Sequence, residues 1–401
     1  MHIEELPTDC ILYIAFFLSI SDVSKFSRSI KIFLNAIWNN ETFWKFRFTN
    51  DRKSQISELG KRKRDQVVWR DMYFYCLSLW TFSYNGMFDL RRFPILYVQQ
   101  ISSMNVRSAL IDLNNNLWTF EVDSDIEDLK KVPDLKAKLV SCGTNHTIII
   151  DVDNNIWTFG SNHWGQLGYS TNGISPVPKQ IKNLKAKQIA AGQNHTLIVD
   201  LEDNVWTCGS NKDGQLGIAG KNRICKPVQI PDIKAKMIAA GWEHSVILDF
   251  EGNVWTFGKS ISGCLGHSYQ KTFTPTKIKN LRAKAISAST HITAAIDLKG
   301  DVWIFGGHYN NSFNFPTDIQ QIPGLNAKQI SCGRRSALVI ADNDDTWMFG
   351  YFCGHRIKQT LTAFKTEQFE YRTEPTKILG VKSKQVLIGD NISAIIVDRF
   401  V

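Results

Sequence analysis

The stretch His244-Ser-Val-Ile-Leu-Asp-Phe-Glu-Gly-Asn-Val-Trp-Thr-Phe-Gly258 predicts a β-hairpin, because it has one apolar segment on each side of a short polar turn. Both segments are rich in β-branched and aromatic residues, which is typical of strands. Tight hairpins require positive φ at their central residues, and Gly252 and Asn253 tolerate it well. Two similar segments, 226–230 and 235–241, precede this predicted hairpin, so one unit contains four strands.

A Trp-x-Phe or Trp-x-Cys triplet marks the last strand of each such unit and recurs at intervals of 38 to 49 residues. This period is typical of solenoids and β-propellers. No helical period interrupts the units, which excludes helical solenoids, and four antiparallel strands per unit indicate a propeller blade. The triplets begin at Trp80, Trp118, Trp157, Trp206, Trp255, Trp303 and Trp347.

The two ends of the array predict how the ring closes. The chain enters with only a last strand, 79–82, and leaves with three earlier strands at 376–379, 384–389 and 393–397. A ring must protect its edge strands, and a blade shared by both ends of the array would do so. We therefore expect a mainly β protein with a seven-bladed propeller over residues 79–401, closed by the strand at 79–84.

Two stretches of the array, Ser161-Asn-His-Trp-Gly-Gln-Leu-Gly168 and Ser210-Asn-Lys-Asp-Gly-Gln-Leu-Gly217, resemble the signature of the regulator of chromosome condensation (RCC-type) repeat family. A companion signature, Ala-Gly-x-x-His, ends at His195 and His244. The resemblance covers residues 80–401 and implies a seven-bladed propeller. It also implies two activities of that family as alternatives, guanine-nucleotide exchange on a Ran-like small GTPase and chromatin binding.

The first 48 residues have a different character from the array. A cap at Ser21 and apolar residues at helical spacing predict short helices. The stretches Leu6-Pro7, Phe16-Phe17-Leu18 and Phe43-Trp44-Lys45 resemble an F-box. We therefore divide the chain into a small N-terminal α-helical F-box-like domain (1–48), a basic linker with a docking helix (49–78) and the propeller (79–401).

The F-box resemblance implies a specific contact with another protein, a Skp-type adaptor of a cullin ubiquitin ligase. The alternative is that these helices only cap the propeller. The residues that the resemblance assigns to the adaptor contact are Leu6, Pro7, Ile11, Leu12, Phe17 and Leu18.

A basic pair with the spacing Lys-x-Lys precedes the second strand of most units, and this spacing places both side chains on one strand face. One hypothesis is a basic annulus that binds an acidic protein or nucleic acid. The alternative is a solvated edge whose lysines discourage edge-to-edge pairing of sheets. The basic residues are Lys136, Lys138, Lys185, Lys187, Lys234, Lys236, Arg282, Lys284, Lys328, Lys382 and Lys384.

Residues capable of chemistry do not form a recognisable site in the sequence. His146, His195, His244 and His291 recur at one blade position, so we expect structural histidines. The eight cysteines lie far apart, which disfavours a zinc site. The glycines of the Gly-Gln-Leu-Gly stretches suit tight turns, since a phosphate loop requires a strand, a Gly-rich loop and a helix. We expect no enzyme, no cofactor and no metal.

The remaining features concern location. The longest apolar run, 11–20, is shorter than the roughly 20 residues that cross a bilayer, and acidic residues precede it, unlike in a signal peptide. We therefore expect a cytoplasmic or nuclear protein with no membrane contact. The basic run Lys61-Arg62-Lys63-Arg64 fits either a nuclear import signal or a solvated linker.

The sequence as a whole indicates a substrate-recognition adaptor of a Skp/cullin/F-box ubiquitin ligase. The F-box would bind the Skp-type adaptor, and the propeller would bind a target protein that the sequence does not identify. The alternative is an exchange factor or chromatin-binding protein related to the regulator of chromosome condensation. The divergent loops at 309–317 and 352–374 are the expected determinants of specificity.

Overall fold

The computed structural model describes residues 79–83, 98–105, 107–112, 114–121, 130–307, 319–333, 336–352, 370–388 and 392–400. Every regular element in these ranges is a strand, as the repeat predicts. The predicted helical domain (1–48) and the linker (49–78) lie outside the described residues.

Twenty-one strands alternate with short connections in the described ranges, and their mutual pairing is antiparallel. They are β1 (Leu79–Ser83), β2 (Val98–Met104), β3 (Arg107–Asp112), β4 (Asn116–Glu121), β5 (Lys130–Cys142), β6 (His146–Asp151), β7 (Asn155–Ser161), β8 (Ile174–Ala191), β9 (His195–Asp200), β10 (Asn204–Ser210), β11 (Arg223–Ala240), β12 (His244–Asp249), β13 (Asn253–Gly258), β14 (Thr272–Ser289), β15 (Ile292–Asp297), β16 (Asp301–Gly306), β17 (Gln320–Cys332), β18 (Ser336–Ala341), β19 (Asp345–Phe352), β20 (Glu370–Ile388) and β21 (Ile392–Phe400).

The long strands each belong to two blades. The first half of β8 pairs with β7, whereas its second half pairs with β9, starting from Ala186 opposite Asp200. Between the halves, Asn183 has a φ of 63°, which turns the chain from one blade into the next. Asn, Asp and Gly adopt this conformation most readily. The equivalent corners are at Asp134, Asp232, Asn280 and Gly324.

Each complete blade therefore has four strands, labelled a to d: the second half of a long strand, two short strands, and the first half of the next long strand. Blade 1 is β2, β3, β4 and the start of β5. Blades 2 to 6 follow in the same pattern, with b and c strands β6–β7, β9–β10, β12–β13, β15–β16 and β18–β19.

Blade 7 joins the two ends of the array, which confirms that prediction. Strand β1 pairs with β21 from Leu79 opposite Ile396 to Ser83 opposite Ile392, and the second half of β20 completes the described part of the blade. The prediction that 376–379 also belongs to this blade is wrong, because Thr376 pairs with Met348 of blade 6. A repeat predicts the order of strands along the chain, but the blade that a segment joins depends on where the chain turns.

The apolar core lies between neighbouring blades. One cluster combines Leu197 and Val205 of blade 3 with Ile247 and Phe257 of blade 4. Inward-facing residues of this kind contribute about 1.5–3 kcal/mol each when fully buried. In the Trp-x-Phe triplet the Phe is fully buried, whereas Trp255 is only partly buried at the margin of the cluster.

The partly buried Trp instead helps to hold the b–c hairpin. The Asp200 carboxylate accepts hydrogen bonds from the backbone N–H groups of Glu202 (3.0 Å) and Asn204 (2.8 Å), from Asn204 Nδ2 (2.8 Å) and from Trp206 Nε1 (2.8 Å). Burial raises the pKa of the Asp200 carboxyl, but these donors outweigh it and lower the pKa below its ordinary value. The same Asp-to-Trp bond is made by Asp112, Asp151, Asp249 and Asp297.

Neighbouring blades are joined by the repeated histidines. Nε2 of His195 lies 3.0 Å from Oγ of Ser245 in the next blade, and that hydroxyl donates to the carbonyl of Gln215 at 2.7 Å. Since the hydroxyl proton is used by Gln215, the histidine must donate through Nε2–H. The pairs His146–Thr196 and His244–Thr293 repeat the arrangement, which confirms the structural role expected for these three histidines.

The glycines of the RCC-type signature form turns, as expected. Gly165 and Gly168 have φ values of 85° and 79°, and they enclose the fully buried Leu167. The Asn162 side chain holds this loop by accepting from the Leu167 N–H at 2.9 Å and donating to the Tyr169 carbonyl at 2.9 Å. The loop is therefore organised by its own side chains.

We predict that Asp200→Asn destabilises the protein by about 1.5–3 kcal/mol, because an uncharged amide replaces an acceptor of four hydrogen bonds. Thermal unfolding followed by circular dichroism measures the effect. Glu202→Gln, an exposed change in the same hairpin, is the control and should leave the melting temperature almost unchanged. Equal melting temperatures for the two variants would contradict the role assigned to Asp200.

We further predict that acid destabilises the fold through the buried histidines. Burial lowers the pKa of His146, His195 and His244 to about 3, whereas an unfolded histidine titrates near 6.5. Between these values the unfolded chain binds more protons, so stability falls as pH decreases, by about 1.4 kcal/mol per histidine per pH unit.

Urea unfolding at a series of pH values between 7.5 and 5 checks this pH dependence. His195→Gln should reduce the slope of stability against pH, since it removes one buried proton acceptor. His163→Gln, at an exposed position, is the matched control and should leave the slope as in the wild type. The same slope in both variants would show that another group controls acid unfolding.

Candidate functional site

Connectivity gives the propeller two different ends. One end carries the b–c hairpins and the d–a corners, and the other carries the a–b hairpins and the longer c–d connections. The basic pairs lie at the start of the a strands, directly after the corners, so they belong to the first end. We call it the hairpin end. All eleven predicted basic residues lie in these strands, with Lys382 and Lys384 placed by the backbone course of β20.

In blades 2 to 5 the first residue of the basic pair caps the b–c hairpin of the preceding blade. Lys185 Nζ donates to the Asp153 carbonyl at 3.3 Å, and Lys234 Nζ donates to the Glu202 carbonyl at 2.7 Å. Lys136 donates to Asn114 O at 3.0 Å, and Arg282 donates to Glu251 O at 2.5 Å. These residues therefore connect blades, a role that neither sequence hypothesis included.

In blades 2, 3 and 6 the lysine at the second position of the pair contacts the hairpin of its own blade. Lys138 Nζ donates to Asn154 Oδ1 at 3.1 Å, and Lys187 forms an ion pair with Asp203 at 2.5 Å. Lys328 is paired with Asp344 in the same manner. In blades 4 and 5 the matching hairpin position is glycine.

Exposed apolar side chains mark the tips of the same hairpins. The residue that follows the hairpin Asp is exposed by 48% at Val152, 42% at Leu201, 60% at Phe250 and 62% at Leu298. Single exposed apolar residues are ordinary on protein surfaces, but here one position is apolar and exposed in four consecutive blades. Sequence reasoning missed this feature, although its signal is present: a large apolar residue directly after the Asp in five consecutive units, at Leu113, Val152, Leu201, Phe250 and Leu298.

Acidic residues lie among the lysines at the hairpin end. Asp153, Glu202 and Glu251 occupy one hairpin position in blades 2 to 4 and are exposed. In blade 5 that position is Lys299, also exposed. The hairpin end is therefore a surface of mixed charge in blades 2 and 3 that becomes more basic towards blade 5.

Two kinds of reactive group, metal ligands and thiols, can be located in the described part of the chain. Its residues include no cluster of three or more His, Cys, Asp or Glu side chains suited to a metal ion. Burial raises the pKa of the Cys142 thiol to about 11 and that of Cys208 to about 12, so both remain protonated. The regular elements of these ranges are all strands, so no helix that could cross a membrane is found among the described residues.

The other predicted site residues are not placed by the structure. The adaptor-contact residues Leu6 to Leu18 lie outside the described ranges, as do the basic run 61–64 and most of the two divergent loops. Their assignments stay predictions. His291, the fourth repeated histidine, packs edge-on against Trp242 with ring centroids 5.4 Å apart.

Comparison with known proteins agrees with the repeat. The family model of the regulator of chromosome condensation (RCC1) repeat matches residues 153–199, 202–248 and 251–296. A second model of that repeat matches 137–166, 186–215 and 236–264. The curated proteins include no match to this sequence.

Solved structures share the fold at low sequence identity. Human WBSCR16 is 14% identical with a TM-score of 0.66, and the match covers 81% of this chain and 99% of that one. Prp20p from Saccharomyces cerevisiae, described with its binding properties to Gsp1p and histones, is 16% identical with a TM-score of 0.64, covering 79% of this chain and 90% of that one. The chain therefore contains RCC1 repeats and folds as a propeller of the RCC1 type.

Proposed function

We propose that the propeller is a non-enzymatic protein-recognition module that binds an acidic protein partner at its hairpin end. The observation that carries this function is the convergence of lysines and exposed apolar side chains on that end. Hairpins held by buried carboxylates are rigid supports, and binding sites are commonly found on loops that a rigid scaffold positions. Oppositely charged partners would be attracted to such a surface and oriented by it.

The partner class that we propose is a small GTPase with an acidic surface. Prp20p, which shares the fold, is described as binding both Gsp1p and histones. Histones are themselves basic, so charge complementarity with the lysines of the hairpin end favours an acidic GTPase surface over a histone as the partner. We limit this function to binding, because the b–c hairpins of blades 2 to 4 are equally short and leave no inserted wedge in these blades to displace a nucleotide.

We predict that the full-length protein binds a GDP-loaded Ran-like GTPase and that the affinity falls as salt concentration rises. Lys236→Glu/Lys284→Glu should weaken binding at least tenfold, which corresponds to about 1.4 kcal/mol. Lys221→Glu reverses one charge at the opposite end of the propeller. It is the control and should have little effect on the affinity. Isothermal titration calorimetry measures the affinities.

Two results would contradict this assignment. Absence of GTPase binding by the folded wild-type protein would exclude this partner class, and equal weakening by Lys221→Glu would exclude the hairpin end as its site. Release of labelled GDP, followed by fluorescence in the same samples, distinguishes binding from exchange. Accelerated release would show that the protein is an exchange factor.

A second candidate function rests on the N-terminal motif. We propose the division into 1–48, 49–78 and 79–401, in which the F-box-like segment would recruit a Skp-type adaptor and a cullin ligase, making the propeller the part that selects a target. A cytoplasmic or nuclear location fits both functions. The Leu6-Pro7 and Phe16-Phe17-Leu18 stretches support this candidate, which is independent of the partner of the propeller.

We predict that purified Skp-type adaptor is retained by the wild-type chain and lost by Leu6→Ala/Pro7→Ala/Leu12→Ala, because the resemblance places these residues in the adaptor contact. A pull-down with equal amounts of folded protein measures retention. Glu4→Gln, a polar change beside the motif, is the control. An adaptor that fails to bind the wild type would remove the ubiquitin-ligase candidate.

A further inference from the structure

Blades 4 and 5 differ from the other described blades in one contact. In blades 2 and 3 the second lysine of the pair is bound by Asn154 or Asp203 of its own hairpin, and in blade 6 the single Lys328 is bound by Asp344 in the same way. The equivalent hairpin residues in blades 4 and 5 are Gly252 and Gly300, which have no side chain to offer. Within the described ranges, the ammonium groups of the two lysines there have neither an ion pair nor a hydrogen bond.

These two lysines are Lys236 and Lys284. Lys284 lies against the hairpin of its own blade, because a Cβ built on Gly300 would lie 3.5 Å from Lys284 Nζ. The ammonium group thus lies over the bare backbone of the hairpin, where a side chain of the other blades would hold it. Asn326 Oδ1 lies at the same distance from that point but makes no hydrogen bond with Lys284, so the donors of the ammonium group remain available to a ligand.

The most exposed apolar hairpin residues lie beside these lysines. Phe250 (60%) and Leu298 (62%) exceed Val152 and Leu201 of blades 2 and 3 in exposure. Phe250 follows Asp249, which pairs with Ala235, the residue before Lys236. Leu298 follows Asp297, which pairs with Ala283, the residue before Lys284.

The two hairpins are also continuous across the blade boundary. Asn253, at the end of the blade 4 hairpin, pairs with Arg282, which lies two residues before Lys284 on the a strand of blade 5. Lys299 adds a further positive charge at the position that is acidic in blades 2 to 4. The result is one surface with basic groups on both sides of two protruding apolar side chains.

We infer that Lys236, Phe250, Lys284 and Leu298 form a docking site, the blade 4–5 patch, for an acidic peptide segment that also carries large apolar side chains. Its carboxylates would pair with the two available lysines, and its apolar side chains would cover Phe250 and Leu298. This inference rests on the proposed protein-binding function and gives it a place and a ligand chemistry. Nucleic acid is the less suitable occupant, because phosphates would pair with the lysines but leave Leu298 uncovered.

The glycine that leaves Lys236 available also supplies the sharpest variant. Gly252→Asn introduces the residue that binds the lysine in blade 2, where Asn154 has a similar φ of 65° against 84° at Gly252. A Cβ at Gly252 would lie 3.2 Å from the Ala283 carbonyl, which is closer than ordinary van der Waals contact, so the neighbouring backbone must move by a few tenths of an ångström. The substitution adds no charge and leaves every residue of the patch in place.

The experiment measures fluorescence anisotropy of a labelled peptide, Asp-Glu-Leu-Asp-Phe-Glu-Asp, with the full-length protein. A peptide of equal charge with Gly at the two apolar positions should bind at least tenfold more weakly. Gly252→Asn, and separately Phe250→Ser/Leu298→Ser, should each weaken binding of the first peptide about tenfold. Lys187→Gln/Leu201→Ser, the matched change in blade 3, should change it less than twofold. Circular dichroism verifies that all variants are folded.

Each alternative result overturns a defined part of the inference. Equal weakening by the blade 3 control would show a diffuse ring and no local patch. Tighter binding of a short single-stranded oligothymidine, in competition with the peptide, would replace the peptide by nucleic acid. No peptide binding by the wild type would remove the patch as a peptide site. GTPase binding measured in parallel separates the two proposals, since its persistence without peptide binding would leave the general protein-binding function intact.

Discussion

The aspartate at the end of the b strand in blades 1 to 5 makes the hydrogen bonds that organise the hairpin end of the propeller. Its carboxylate binds two backbone N–H groups, an Asn amide and a Trp indole, so one side chain fixes the b–c hairpin. A fixed hairpin then offers carbonyl groups to the basic residues of the next blade, as Lys234 shows at Glu202. Blade 6 has Ala341 at this position, and there Asp345 is instead paired with Lys377.

Blade-to-blade cohesion comes from a second set of interactions at the other end of the propeller. Neutral histidines donate to hydroxyl groups of the next blade, and those hydroxyl groups donate to loop carbonyls. Gly192 is required there, since a Cβ would lie 2.1 Å from Cε1 of His195. The two ends are thus stabilised by different chemistry: buried neutral donors at one end, and partly exposed charged groups at the other. This division leaves the charged hairpin end available for recognition.

The repeat also explains why function is concentrated in its exceptions. Where the hairpin supplies a side-chain acceptor, the lysine is bound within the protein and its ammonium group is occupied. Glycine at residues 252 and 300 removes a partner without disturbing the hairpin, because glycine adopts the required positive φ at no steric cost. A small change in a rigid repeat can therefore free a charge at one place in the ring, beside the exposed apolar tips that lie next to it.

The strands, their order and the turn residues with positive φ can be predicted from the sequence, as can the joining of both ends of the array in one blade. These features follow from local chemistry: apolar alternation, Gly, Asn and Asp at turns, and a period of constant form. The fold was needed to show that 376–379 belongs to blade 6, that the Phe of the triplet is more deeply buried than the Trp, and that basic residues of blades 2 to 5 cap the hairpins of the preceding blades. These outcomes depend on which strands and side chains meet across blade boundaries, and residues 22 to 50 positions apart in the chain make those contacts.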